Sequence, residues 1–201
     1  MPEQMLLAAL SAADGELEYA RFTGERIADG RFYGAEFRSV EFVDCVFTGC
    51  NLANTGFYHC TFTACDVSGC NLSDSYWKNC VLTDCKGDRA NFSGARFRDT
   101  RLTGGSFFFA GFSKAVFDGC RLENALFREA AFPEVKLKKT RLHGLDLTRG
   151  DFFHTPLKGM DLSDCELAGL MVSETFSELK GAKVSYGQAV DIAALLGVKF
   201  E

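Results

Sequence analysis

Large apolar side chains recur in this chain at every fifth residue, and that spacing constrains the fold more than any other feature. Steps of five from Leu17 pass through Phe22, Ile27, Phe32 and Phe37 and run on to Leu162, Leu167 and Val172. Of these thirty-two positions only Gly87 is not a large apolar residue. Two residues before each lies a smaller one. All nine Cys (Cys45, Cys50, Cys60, Cys65, Cys70, Cys80, Cys85, Cys120 and Cys165) fall in this class, beside residues such as Ala35, Ala90 and Ala110. The other three positions of each five are mostly polar. Helices and strands have side-chain periods of 3.6 and 2, so neither alone produces the pattern.

A coil in which each five-residue unit forms one short side, with a turn at its corner, does produce it. The large and the small side chain point inward and the polar ones face water. Stacked coils pair their backbones, as in other solenoids. Four sides per coil place residues twenty apart directly above one another, so Asn51, Asn71 and Asn91 should stack on one face and Thr63, Thr83 and Thr103 on another. Residues 15–174 then make about eight coils, roughly 38 Å of column at one strand spacing per coil. The segment Lys86-Gly87-Asp88-Arg89 lacks its inward apolar residue and reads as a pinched corner rather than a loop.

The ends differ from the column. Residues 1–14 carry Met5, Leu6, Leu7, Ala9 and Leu10, which suit a cap laid over the first coil. Residues 175–201 leave the five-residue register. Within them Ser185 can cap a helix running to Leu196 and closed by Gly197. Val190, Ile192, Ala193, Leu195, Leu196, Val198 and Phe200 offer more apolar surface than so short a segment hides against its own coil, which leaves a dimer interface and a monomeric cap as the two readings of the residues.

The same arithmetic excludes several functions. No apolar run approaches the ~20 residues that cross a bilayer, and Met1 to Asp14 lack the basic residues of a secretory leader, so the expected address is the cytoplasm. The inward Cys serve as compact filler. His59, His143 and His154 point outward on three faces, which makes no metal site. No phosphate loop, nucleophile elbow or dinucleotide fingerprint occurs. The expectation is a protein without catalysis, cofactor or small-molecule substrate, whose function is recognition by its outer surface.

Net charge is −5, unevenly spread. In coils six to eight, two adjacent faces carry Glu129, Glu134, Asp146, Asp151, Glu166 and Glu174 against Arg128 and Arg149. The opposite faces are basic, with Arg101, Arg121 and Arg141 on successive rungs beside Arg96, Arg98, Lys136, Lys138, Lys139 and Lys158. A straight rod with one acidic side can occupy a basic nucleic-acid channel, because such channels select chiefly for regular negative charge. The candidate partner-binding charges are Asp146, Asp151, Asp161, Asp164, Glu166 and Glu174. Outward Phe108 and Phe109, with Leu126 one rung on, form a candidate apolar contact.

Units such as Cys50-Asn51-Leu52-Ala53-Asn54, Cys70-Asn71-Leu72-Ser73-Asp74 and Ala90-Asn91-Phe92-Ser93-Gly94 resemble the repeat of the pentapeptide-repeat family. That resemblance implies an all-β fold, a right-handed quadrilateral β-helix, here with a short C-terminal helix. The stretches Arg21-Phe22-Thr23-Gly24-Glu25-Arg26-Ile27 and Gly187 to Val198 are similar to the opening coil and the terminal helix of the Qnr and MfpA type of bacterial quinolone-resistance protein. This narrower likeness implies a homodimer joined through the C-termini. It also implies a DNA mimic that binds DNA gyrase or topoisomerase IV and reduces quinolone poisoning, with no direct binding of nucleic acid. The basic faces support a different expectation, a scaffold that binds an acidic protein or a nucleic acid.

Overall fold

The computed structural model describes Leu6, Ala8, Ala9 and residues 15–199. The chain winds into a four-sided parallel β-helix. Its first wall is a seven-stranded ladder from Glu16–Glu18 to Lys136–Lys138, and its second a seven-stranded ladder from Arg21–Thr23 to Arg141–His143. The third wall starts with the pair Arg26–Ala28 and Val46–Thr48 and continues as single bridges up to Asp146 with Glu166. The fourth consists of single bridges from Arg31 with Asn51 up to Asp151 with Met171. Partners along these walls lie twenty residues apart, as the period requires. The cap expected over residues 1–14 falls mostly outside the described residues; within it Leu6 is fully buried.

The backbone bonding repeats with the same period. In each unit the central residue and the one two places on donate to the coil above, as Phe32 N–H does to Asn51 O at 2.8 Å and Gly34 N–H to Ala53 O at 3.1 Å. The residue before the centre donates to the coil below, as Glu36 N–H does to Gly15 O at 2.8 Å. Where units pair by single bridges, as along the fourth wall, the residue just after the centre donates to no backbone carbonyl of either coil. An Asn or Asp before the centre often takes up that N–H, as Asn51 Oδ1 accepts from Ala53 at 3.2 Å and Asp151 Oδ1 from Phe153 at 2.9 Å. Each corner is turned by a residue with φ near +50° to +60°, among them Asp29, Asn54, Asp74 and Asn79. The Gly, Asn and Asp that fill many of these positions are the residues that tolerate the left-handed region.

The core is a set of vertical stacks. Phe92, Phe112, Phe132 and Phe152 lie over one another with centroids 4.9, 4.9 and 4.8 Å apart. Trp77 lies between Phe57 at 4.1 Å and Phe97 at 5.7 Å. Each such contact adds roughly 0.5–1.5 kcal/mol to simple burial. All nine Cys are buried and free. They are more than filler, because seven of the thiols, all but those of Cys65 and Cys165, reach the carbonyl of the central residue one coil below, as Cys60 does to Phe37 O at 3.3 Å. Thr55 makes the same bond to Phe32 O at 2.8 Å, which explains why Thr alternates with Cys and Ala here. The expected Asn stack forms, Asn71 donating to Asn51 and Asn91 to Asn71, each at 3.3 Å. Thr63, Thr83 and Thr103 are paired in register.

At Gly87 the ladder is unbroken, with Gly87 N–H on Ser106 O at 2.8 Å. The Phe107 ring fills the space a side chain there would take, coming within 2.7 Å of an added Cβ, so the segment is a pinched corner and no loop forms.

The coil count falls slightly short of eight on two walls, and Pro156 is the reason. Pro133 sits just after a centre on the bridge-paired fourth wall, where no N–H is called on by either coil, and its carbonyl still accepts from Lys114 at 2.9 Å. Pro156 sits where an N–H should reach down to Val135 O, and it has none. Above it the chain follows the C-terminal segment instead, Leu157 donating to Glu178 O at 2.8 Å and Gly159 to Gly181 O at 2.9 Å. The first and second walls therefore end one rung before the third and fourth.

Beyond the column a 3₁₀ turn, Ser177–Leu179, leads to an α-helix, Tyr186–Leu195. Ser185 caps it as expected, with Gln188 completing the reciprocal bonds at 3.3 and 2.6 Å. The helix stops one residue before the expected Leu196, and Gly197 turns the chain away with φ +78°.

Candidate recognition surfaces

Four of the six candidate carboxylates share two adjacent walls. Asp146 and Glu166 stack on the third wall, and Asp151 and Glu174 lie on the fourth. Asp161 and Asp164 belong to the second wall, above Arg141 and His143, so the six do not form one surface. Several of these acids also serve the fold. Asp146 accepts from Thr148 N–H at 3.1 Å and Glu166 from Ala168 N–H at 3.2 Å. Partial burial works against ionisation of Asp146, but Thr148 and the Arg128 guanidinium outweigh it and hold the carboxyl below the usual range. Arg128 pairs with Asp146, whose side chain is only 13% exposed, and Arg149 lies 4.0 Å from Glu129. Among the described residues Glu134, Asp151, Glu166 and Glu174 make no ion pair, which leaves them the carboxylates open to a partner.

The basic walls are less compensated. Arg101, Arg121 and Arg141 are paired in register up the second wall, all exposed, and none makes an ion pair among the described residues. Lys136, Lys138, Lys139 and Lys158 on the first wall are likewise exposed and unpaired. At the other end of these walls the bases are matched, Arg21 with Glu41 at 3.5 Å and Arg38 with Glu18 at 3.6 Å. The imbalance is confined to the upper half of the column.

In the apolar candidate, Phe109 is 50% and Leu126 40% exposed, Phe108 is half-buried, and Arg89 lies over the Phe109 ring at 5.2 Å. At the C-terminus Val190, Ile192 and Ala193 are half-buried, while Leu196 and Val198 are exposed. Phe200 and the Leu195 side chain lie outside the described residues. The first helical turn is fixed to the last coil by Gln188 Nε2, which donates to Leu162 O at 2.8 Å and to Cys165 O. Among the described residues no group of side chains could hold a metal ion, and no helix is long and apolar enough to cross a membrane.

Two carboxylates play roles that the candidate set does not include. Glu178 is buried; its carboxylate accepts from His154 N–H at 2.9 Å and from the Ser173 hydroxyl at 2.8 Å. Burial opposes its charge, yet its own N–H, Ser173 and His154 hold it below the usual glutamate value. Glu25 occupies an inward small-residue position, buried, with Oε2 unpartnered among the described residues, and burial pushes its carboxyl up. Its place in the five-residue register was the signal for that one.

The chain matches the family model described as pentapeptide repeat region over residues 35–107 and 56–126, and the model of eight pentapeptide repeats over residues 115–152. Among solved structures it is similar to full-length QnrB1, a plasmid-mediated fluoroquinolone resistance protein, with 22% identity over 91% of this chain and 100% of that one and a TM-score of 0.45. It is also similar to HetL, a pentapeptide repeat protein involved in heterocyst differentiation regulation from the cyanobacterium Nostoc, with 15% identity over 89% and 92% of the two chains and a TM-score of 0.37. A pentapeptide repeat protein of the Arabidopsis thaliana thylakoid lumen shares 18% identity over 62% of this chain and 70% of that one, with a TM-score of 0.37. No curated protein matches.

Proposed function

The chain belongs to the pentapeptide-repeat family, and from that premise we propose that it is a non-enzymatic DNA mimic that binds a type II topoisomerase, DNA gyrase or topoisomerase IV, and protects it from quinolones. One observation carries the reading, the concentration of unpaired carboxylates on two adjacent walls at the C-terminal end. Over coils six to eight these walls hold six acids against two arginines, a net −4. A duplex of the same length, three rungs or about 14 Å, carries roughly eight phosphates. The protein thus presents about half the charge density of DNA on a straight rigid rod, and a channel that grips duplex phosphates gains part of its usual attraction without paying for DNA bending. A dimer through Leu196 and Val198 would bring two such ends together about one axis, doubling the length of acidic surface.

The test is a titration of the protein into gyrase supercoiling and quinolone-induced cleavage reactions, beside a DNA gel shift at low and moderate salt. The reading expects inhibition or protection without DNA binding. Salt-sensitive DNA binding with no effect on gyrase would refute it. A second reading, a scaffold that binds an acidic protein or a nucleic acid, is favoured by the unpaired Arg101, Arg121 and Arg141 ladder, and that same result would support it.

A further inference from the structure

The rung lost above Pro156 leaves an opening in the side of the column. Among the described residues no backbone bond joins 136–138 to 156–158, or 141–143 to 161–163, although the coils above and below are paired. Leu137 and Leu142 N–H, which the pattern of every lower coil directs upward, have no backbone acceptor, and the carbonyls of Asp161 and Ser163 have no backbone donor from below. Between them lies a cleft of about 600 Å³, lined on its lower side by Glu123, Thr140, Arg141, Leu142 and His143 and on its upper by Gly159, Met160, Asp161 and Ser163. Asp164 closes one end by contact with His143. At the same level Leu137 and Met160 are half-buried, whereas most central and small positions along the column are buried.

We propose that this slot accepts an extended acidic segment of a partner protein as an added strand between the seventh and eighth rungs. Both lips offer unused strand-edge groups, which is what addition of a strand to a sheet edge requires. The inward-facing residue of such a strand meets the apolar floor of Leu142 and Met160, the role the central residue plays in every other coil. Its outward residues face Arg141, and the exposed Lys136, Lys138, Lys139 and Lys158 stand on the adjoining first wall at the same level, none of the five in an ion pair among the described residues. Over the two walls these five bases stand against three acids at the slot: Asp164 in contact with His143, Asp161 accepting from the Ser163 hydroxyl at 2.7 Å, and Glu123 on the lower lip. The surplus of positive charge therefore selects an acidic strand over a basic one. This site is on the opposite side of the column from the carboxylates of the proposed topoisomerase surface, and the two stand or fall separately.

The probe is a capped, fluorescein-labelled octapeptide of alternating Glu and Val, with the Lys and Val octapeptide as its control. Binding is read by anisotropy, and amide exchange is followed by NMR in the full chain. In the free protein Leu137 and Leu142 amides should exchange far faster than those of Leu102 and Leu122, and the Glu/Val peptide should slow them. Pro156→Thr restores the missing donor and closes the slot, so peptide affinity should fall by at least about tenfold while those two amides become protected. If that variant fails to fold, Arg141→Glu should weaken binding by a similar factor. Equal protection of the four amides in the free protein, no binding, equal binding of the Lys/Val peptide, or binding that leaves the Leu137 and Leu142 amides unchanged would each overturn the proposal. Charge reversal of Glu166 and Glu174 should leave peptide binding unaltered.

Discussion

Replacement of Gly105 by Ala should split the column at its fifth coil. Gly105 occupies a small inward position that most often holds Cys or Ala, so by residue class the change looks harmless. In the structure φ at Gly105 is +81°, and an added Cβ would lie 1.9 Å from Cys85 O. Contacts below 3.0 Å are essentially never seen for a Cβ, so the rungs must part by more than 1 Å there. That separation breaks the bond from Ser106 N–H to Cys85 O, now 3.0 Å, and strains the one from Leu126 N–H to Gly105 O at 3.1 Å. Two such bonds are worth about 1 kcal/mol each. The left-handed backbone costs a further 1–2 kcal/mol or so, and reduced freedom of the unfolded chain returns roughly 0.4–1 kcal/mol. The net loss is about 3 kcal/mol, roughly 6–12 °C in melting temperature for a chain of this size. Gly111→Ala is the matched control, because its Cβ would meet nothing closer than Asn91 Oδ1 at 3.9 Å and its φ is unexceptional. That variant should be neutral or more stable by about 0.5 kcal/mol. Trp77, buried between Phe57 and Phe97, reports the urea transition. If Gly105→Ala stays within about 1 kcal/mol of the parent, or if both variants lose the same amount, the reasoning from rung spacing is wrong.

Three other outcomes follow from the buried acids and the terminal helix. Glu25→Gln should stabilise the protein at neutral pH by about 1 kcal/mol, since an unpartnered buried carboxylate is removed. Because the Glu25 carboxyl is raised in the folded state, the parent loses stability as pH climbs from the ordinary glutamate value through the raised one, so the two proteins should converge below about pH 4 in pH-dependent thermal melts. Glu178 has the opposite sign: its carboxyl is lowered, its contribution is present above the ordinary value and disappears as pH falls through the folded one, and Glu178→Ala should cost about 2–3 kcal/mol at pH 7 but little in strong acid. Leu196→Glu with Val198→Glu, both exposed in the single chain, should convert a dimer to a monomer by light scattering; an unchanged mass would remove the C-terminal interface.

Much of the column was legible because one period governs both packing and bonding. The fifteen Phe at central positions and the nine Cys two places before them report the core directly, and the Asn51, Asn71 and Asn91 stack follows from twenty residues per turn. What escaped the period depends on backbone donors rather than side-chain size. Pro133 and Pro156 look alike in sequence, yet only the second falls on a position whose N–H must reach the coil below, so only it opens the wall. Gly105 differs from its Cys and Ala counterparts only in a backbone angle. Asp161 and Asp164 read as part of the acidic end because charge was summed along the chain, whereas the corner between units turns them onto the basic side. Nothing in the residues around Glu178 shows that its segment folds back over Ser173 and His154.

The central claim is that recognition resides in the unpaired carboxylates of the third and fourth walls. Quinolone-induced cleavage by gyrase, titrated with the parent and with Glu166→Lys plus Glu174→Lys, tests it most directly. Both residues are exposed and make no ion pair among the described residues, so the variant should fold as the parent does. The account predicts that the parent suppresses cleavage and that the variant requires at least about tenfold more protein for the same effect. Coincident titrations, or no suppression by the parent at any concentration, would contradict it.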